Sequence, residues 1–596
     1  MHAASAPASI DVVLDQHSGT LRSGSRDDEP DGAMFDLLPA TEELLREASR
    51  MQIPVRIVVA DDLEGDPIHE LEALVSEAEI VAGIDGLVPQ DRPGILVAAD
   101  RVVRARAAGL GWTPVPHPAL ATSAARGDEL VFAHLSGDCG ALAGIAGLVP
   151  YWLEDRAHGP SWALAALPRS SVAQAVDAGI EVRRLPLDLG LEDPLFVQLD
   201  ANAKIGDTLA DYEILWSDAT RVLLALDAET TNDEIPAHGA HGHFRFLTPS
   251  PELLEPAAVV ALTATSAGAS LEAAAAPAPV TGESFLADLR RYAGLAPIDA
   301  RGALRSRHSS HPDNARAIDA LVADLTEMGY APFTHQFSFG GRILRNVIAD
   351  MPGSGKLGVD AGILVVGAHM DSTAARDPGY EPASSPARGA DDDGSGVVAL
   401  LAIARWLRTL DTAPHNTIRF GFFNAEESGL VGSRAYAASL KAARAPVIAA
   451  VCADMIGYNS DQALAWEVHA GFTNERIRDL SVPVARVVAD AGAQLGELPA
   501  AQLVTGTIPR DGDDPTRFDG AINRSDHASF QEQGYPGVLV SEDFFPNRPD
   551  EPSFDPNPNY HSNADIEVDG DYAAAITRAM SVAVLELASR PGALLA

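Results

Sequence analysis

The chain has 596 residues, with 84 Asp and Glu against 43 Lys and Arg, a formal net charge of -41 at pH 7, and two cysteines. That length predicts at least two domains with cores of their own, and 46% hydrophobic with 21% charged residues excludes a chain that is unfolded throughout. A surface of this sign disfavours nucleic acid and anionic membranes as partners, and Cys139 and Cys452 make neither a disulfide framework nor a thiolate metal site.

In chain order, residues 1–30 are small and polar and are expected to be disordered. They carry neither a basic n-region nor an apolar h-region, so the expectation is a cytoplasmic protein, or one secreted by a route that needs no such signal. No uninterrupted apolar run approaches the ~18 residues of a membrane span. Residues 31–262 are predicted to form an α+β domain of unknown function with an internal duplication. AGIDGLVP at 82–89 and AGIAGLVP at 143–150 share seven of eight residues at an offset of 61. The second unit reads β-α-β-β-α-β, the ferredoxin-like pattern. No spacing in this region identifies a chemistry. Two roles fit it, a docking or oligomerisation module and an inhibitory segment over the active crevice, and the missing secretory signal favours the first. Residues 263–283, an Ala/Pro-rich run without amphipathic period, read as a linker.

Residues 284–596 differ in kind. Amphipathic helices are expected at FLADLRRYAGL and NARAIDALVADLTEMGY. Apolar, β-branched runs at 345–353, 362–372, 416–427, 446–457 and 536–544 alternate with helical stretches at 395–410 and 433–444. This pattern predicts an α/β domain whose mostly parallel central sheet is flanked by helices.

Several of these runs stop at a carboxylate or imidazole: His369 and Asp371 after ILVVGA, Glu426 and Glu427 after IRFGFFNA, Asp454 after IAAVCA. In an open α/β sheet the carboxyl ends of the strands form the ligand crevice, so these side chains should converge. The acidic loop GADDDGSG at 389–396 can feed the same crevice. Taken singly, each carboxylate reads as a helix cap or a solvated charge. Together they would repel one another strongly without cations, so bound metal is the economical explanation. Imidazole with carboxylate and no thiolate suits zinc, with cobalt or manganese as substitutes. The number of donors exceeds what one tetrahedral ion needs and fits two ions.

These residues bring a family into view: the segment from about 284 to 596 resembles the M28 zinc aminopeptidases, co-catalytic dizinc exopeptidases. The similarity runs in order through NVIA (346–349), GAHMDS (367–372), GADDDGSG (389–396), AEESGLVGS (425–433), ADMIGY (453–458), RSDHASF (524–530) and NPNYHSNAD (557–565). The resemblance implies two Zn2+ per chain. His369 and Asp454 would bind one ion, Glu427 and His561 the other, and Asp392 would bridge both. Glu426 matches the general acid/base, and Asp371 the carboxylate that orients the His369 imidazole. It also implies a cis peptide bond between Asp392 and Asp393. The implied activity is hydrolysis of the N-terminal bond of peptide substrates by a water activated between the zinc ions. A dizinc carboxypeptidase of the glutamate-releasing type, a glutaminyl cyclase and a metal-free receptor-like relative are the alternatives. The chain departs from the secreted relatives in having Ile522 where their oxyanion-binding Tyr aligns, and no cysteine nearby. Arg524 is the replacement candidate as oxyanion stabiliser or substrate-carboxylate contact, and a salt bridge from it to Asp519 or Asp526 is the competing reading. Asp526 and His527 are expected to support the site rather than bind metal. The acidic insert at 508–520 is a candidate pocket rim.

Overall fold

The computed structural model describes residues 129–154, 160–189, 192–198, 212–217, 221–227, 243–247, 249–250, 253–254 and 277–590, the last apart from 340–341, 444, 462, 507–518 and 546–554, besides short strand segments elsewhere. Apart from the strand segments Ile10–Leu14, Leu21–Gly24 and Gly86–Pro89, the expected disordered N-terminus and the first copy of the duplication lie outside these residues, as does most of the linker.

The first described unit runs β1 (Leu130–Gly137), α1 (Cys139–Ala143), β2 (Val149–Glu154), β3 (Ser161–Pro168), α2 (Val172–Asp177) and β4 (Glu181–Arg184). Its four strands form one antiparallel sheet in the order β4-β1-β3-β2, so the segment has the β-α-β-β-α-β connectivity. All eight residues of β3 are buried. A second antiparallel sheet, which sequence reading did not anticipate, follows: β5 (Glu192–Gln198), β6 (Glu213–Ser217), β7 (Arg221–Asp227) and β8 (His243–Phe246), ordered β6-β7-β5-β8. Arg221 of β7 makes a buried ion pair with Glu154 of β2, which also accepts the Trp162 indole N–H at 2.6 Å. This pair and the contact of Trp152 with Phe196, at 4.5 Å between ring centroids, tie the two sheets together.

The larger unit contains α3 (Gly282–Tyr292), α4 (Asp313–Glu327), β9 (Phe333–Phe339), β10 (Arg342–Met351), β11 (Ile363–His369), α5 (Gly394–Leu407), β12 (Thr417–Phe423), α6 (Val431–Ala442), β13 (Val447–Ala453), β14 (Trp466–His469), α7 (Glu475–Leu495), β15 (Gln502–Val504), α8 (His527–Glu532), β16 (Gly537–Glu542) and α9 (Gly570–Ser589). One eight-stranded sheet, ordered β9-β10-β12-β11-β13-β16-β14-β15, crosses it. The four central strands β12, β11, β13 and β16 are parallel. β9 and β10 join antiparallel on one side, and β14 antiparallel on the other. The expected parallel sheet is therefore its centre, and hairpin-type pairing makes the whole sheet mixed. Every residue of β11 and β13 is buried, as strands covered by helices on both faces require.

Helices α3, α4, α5, α7 and α9 pack on one face in a single hydrophobic cluster, and α6 and α8 cover the other through Tyr436, Ala437, Leu440 and Phe530. α5 is buried all round except at Arg405, which is why its sequence lacks a polar stripe. α9 has the length and hydropathy of a membrane span, but most of it is buried in the core. Residues 278–280, assigned to the linker from sequence, pack into this core instead: Ala278 N–H donates to Ser581 Oγ at 3.0 Å, and Val280 is buried beside it. Thr281 then opens α3 with a capping box to Ser284. The first unit meets the second where Leu253 joins Phe472 and Ile477 in one buried cluster with residues of β1 and β3.

Candidate active site

His369 is the last residue of β11, Asp454 follows β13, and Glu426 and Glu427 lie just past β12. These three strands are parallel neighbours, so their ends open on one edge of the sheet. The Asp392 loop completes the edge. His369 Nε2 lies 3.1 Å from Asp392 Oδ1 and 3.5 Å from Asp454 Oδ1. His561 Nε2 lies 2.9 Å from Glu427 Oε2 and 3.3 Å from Asp392 Oδ2. The residues thus form two three-donor groups that share Asp392, His369–Asp392–Asp454 and Asp392–Glu427–His561, each compact enough to hold a metal ion. Glu426 belongs to neither group, and its Oε2 stands 4.0 Å from His369 Nε2.

The structure separates the roles of the three consecutive aspartates. Asp391 accepts the Gly457 N–H at 2.9 Å and an Asn557 amide N–H at 2.8 Å. Asp393 caps α5 by accepting the Gly396 N–H at 2.8 Å, and accepts the His369 N–H at 3.1 Å. Both carboxylates are spent on holding backbone, and only Asp392 faces the two imidazoles. Asp565 fixes the turn by accepting the N–H groups of Asp391 and Asp392 at 3.1 and 3.0 Å. The Asp392–Asp393 peptide bond is cis. Ala425, Met455, Asn523 and His561, each in the site or next to one of its residues, have positive φ of 57°, 52°, 62° and 57°. Side chains other than glycine rarely adopt this region, and such residues concentrate at functional sites.

Burial dominates the electrostatics. It raises Asp392 to about 6 and Glu427 to about 8, and lifts Glu426 well above the carboxylate range. His561 is lowered to about 4, again mainly by burial. For His369 burial pulls the other way but is outweighed by Glu426, Asp454, Asp371 and Asp392, and the imidazole is raised well above its ordinary value. Asp392 Oδ2, Glu426 Oε1 and Glu427 Oε1 are buried without a hydrogen-bond partner among the described residues. Buried acceptors of this density, with two imidazoles and no thiolate, are the donor set of a cation site.

Two further residues organise the floor. Asp371 Oδ1 lies 3.6 Å from His369 Nδ1. Arg307, fully buried and not singled out from sequence, donates to the carbonyls of Tyr292, Met370, Arg388 and Gly389 at 2.8–2.9 Å. It thereby clips the strand end carrying His369 to the loop carrying Asp392. A narrow cavity opens over His369, Asp392, Glu426, Asp454 and His561. Its wall includes Arg524, together with Met455, Phe544, Phe545 and Tyr560. Tyr560 was missed although it adjoins His561 in the sequence. Its ring stacks on that imidazole at 3.7 Å between centroids, and burial keeps its phenol protonated. Ile522 is fully buried. Asp519, one competing partner for Arg524, is bonded instead to His469 and to the Gly471 and Ala521 N–H groups. Asp526 and His527 are buried near the start of α8, outside both donor groups. Most of the acidic insert lies outside the described residues.

Comparison with known proteins places this geometry. Residues 346–585 match Peptidase family M28. Leucine aminopeptidase 1 of Arthroderma otae is 31% identical over 233 residues, 38% of this chain and 53% of that protein. Leupeptin-inactivating enzyme 1 of Streptomyces exfoliatus is 31% identical over 204 residues, 34% of this chain and 43% of that protein. The chain thus spans about half the length of the curated relatives it matches. Among solved structures, the Legionella pneumophila LapA aminopeptidase aligns over 67% of this chain and 99% of its own, at 18% identity and a TM-score of 0.47. Over residues 346–585 the chain is thus similar to peptidase family M28.

Proposed function

We propose that the chain is a dizinc metallo-exopeptidase that removes N-terminal residues from peptides. The observation that carries this reading is the pair of donor groups sharing Asp392, with Glu426 beside them and outside both. His369 and Asp454 would hold one zinc ion, Glu427 and His561 the other, and Asp392 would bridge them. The orphaned oxygens of Asp392 and Glu427 fit these assignments. When bound, two zinc ions supply Lewis acidity at the scissile carbonyl and acidify water toward neutrality. The remaining chemistry falls to the chain's own side chains.

Glu426 is the proton carrier. Its carboxylate, raised by burial, takes a proton from the attacking water and returns it to the leaving amine. Asp371 orients the His369 ring and fixes the Glu426 backbone. Tyr560 and Arg524, the hydrogen-bond donors of the cavity wall, are placed to bind the carbonyl oxygen as charge develops on it. The acid-rich floor favours a substrate with a free α-ammonium group, and the leucine aminopeptidases among the relatives support that choice over a carboxypeptidase. Both donor groups are complete, which favours a two-metal peptidase over a one-metal cyclase.

The test combines metal analysis with a peptide panel. Two zinc ions per chain are expected, with hydrolysis of N-terminally free peptides, C-terminally blocked ones included, and none of N-blocked ones. Less than one metal per chain, or no cleavage of any free-amine peptide, would overturn the reading.

A further inference from the structure

Arg524 and Phe545 line the cavity from separate segments of the chain. Both segments are tied to one buried side chain that does not line it, His469 at the end of β14. His469 Nδ1 lies 2.9 Å from Asp519 Oδ1, and its Nε2 lies 3.0 Å from Glu467 Oε2. With a carboxylate at each nitrogen the ring donates from both, which is the imidazolium form. Its raised pKa agrees with this. All three side chains are fully buried.

Each carboxylate of this triad also grips backbone. Asp519 accepts the N–H groups of Gly471 and Ala521, both at 2.9 Å. The Ala521 carbonyl in turn accepts the Arg524 N–H at 3.0 Å, closing the turn that delivers Arg524. Glu467 Oε2 accepts the Phe545 N–H at 3.2 Å. The Phe545 ring meets the imidazole edge-on, with centroids 5.1 Å apart and planes at 77°. A buried network with its members bonded to one another and to backbone defines one geometry, and loses it when a member is removed. Gly471 also leads into Phe472 and Asn474, which seat the 129–254 region through the shared apolar cluster and a 3.4 Å bond from Asn474 to the Leu253 carbonyl.

We infer that His469 is a positioning residue for substrate binding: clamped between Glu467 and Asp519, it holds Arg524 and Phe545 over the acidic floor without touching substrate or any donor of the metal groups. The clamp rests on the aminopeptidase reading only for what its walls bind.

The experiment uses the full chain carrying His469→Asn and, separately, Asp519→Asn. The second keeps the volume of the side chain and removes one arm of the clamp should the first fail to fold. Metal content should stay at the wild-type value. KM for a free-amine peptide should rise about tenfold or more, and kcat should fall with it as far as displacement of Arg524 weakens its contact to the carbonyl oxygen. Hydrogen exchange at the Ala521 and Phe545 amides should accelerate at least about tenfold. Unchanged KM with unchanged protection at both amides would overturn the inference, as would parallel loss of metal and kcat at constant KM. If the wild-type chain cleaves no free-amine peptide, the aminopeptidase reading fails, and the two exchange rates alone decide the clamp.

Discussion

Asp371 holds Glu426 through its backbone: Asp371 Oδ1 accepts the Glu426 N–H at 3.0 Å, while Oδ2 accepts the Glu427 N–H at 3.2 Å. The same carboxylate lies 3.6 Å from His369 Nδ1. One buried anion therefore links an imidazole of the first donor group, a carboxylate of the second and the proposed proton carrier. Asp371→Asn turns one of the two acceptors into an N–H donor facing another N–H. Metal affinity or kcat/KM should fall about 10–100-fold, measured by competition with a chelator and by steady-state hydrolysis. Wild-type values of both would remove Asp371 from the site's support.

Glu426→Gln separates chemistry from metal binding. Glu426 stands outside both donor groups, so the variant should bind metal as the wild type does. It should lose turnover by about 10²–10⁴-fold, because the amide cannot carry the proton. Turnover near wild type would transfer the acid/base role to another group.

Arg307→Met tests the buried clip. Methionine fills part of the volume but leaves the carbonyls of Tyr292, Met370 and Arg388 without this donor, while that of Gly389 keeps the Gly394 N–H at 3.1 Å. A buried acceptor left unpaired costs about 1–3 kcal/mol, so the variant should lose about 3 kcal/mol or more in denaturant unfolding. Arg307→Lys should fall between the two, because one ammonium cannot span four carbonyls held in a planar fork. A change below about 0.5 kcal/mol would mean that the loop carrying Asp392 is held by Asp565 and Asp393 alone.

How much of this was legible in the sequence follows from how far apart the partners lie. The strand ends at His369, Glu426 and Asp454 announce themselves because an apolar run stops at a charge, and the sheet's geometry does the rest. Within the acidic triplet, residue type could not tell Asp392 from its neighbours. The choice came from a family resemblance, and the structure supplies a physical reason in the backbone N–H groups that Asp391 and Asp393 accept. Arg307 and His469 left no signal, since their partners lie up to 82 and 50 residues away and belong to no motif. Helix α7 is not among the elements expected from sequence, and Pro483 sits inside its 21 residues. The sheet β6-β7-β5-β8 is not among the expected elements: two of its three connections, 199–212 and 228–242, are long, and only 218–220 is short.

The His469 clamp also makes stability depend on pH in a window set by one group. Burial alone would lower its pKa, but Asp519 and then Glu467 outweigh it and raise the imidazole from 6.5 to about 10. His527, which also feels the His469 charge, is itself lowered to about 4, mainly by burial, and is neutral over this range. Because the folded state holds the proton more tightly than the unfolded chain, the contribution is fully present below pH 6.5. It declines as pH rises and is gone once the pH passes about 10. A shift of this size corresponds to a few kcal/mol, on the order of 1.4 kcal/mol per unit. Urea unfolding of the wild type and of His469→Asn between pH 6 and 10.5 brings out the term, since groups away from the triad and His527 titrate alike in both. The stability difference should be largest at pH 6 and close as the pH approaches 10. A difference that stays constant across that range would show that His469 is held neutral, and that the bonds to Glu467 and Asp519 do not carry its charge.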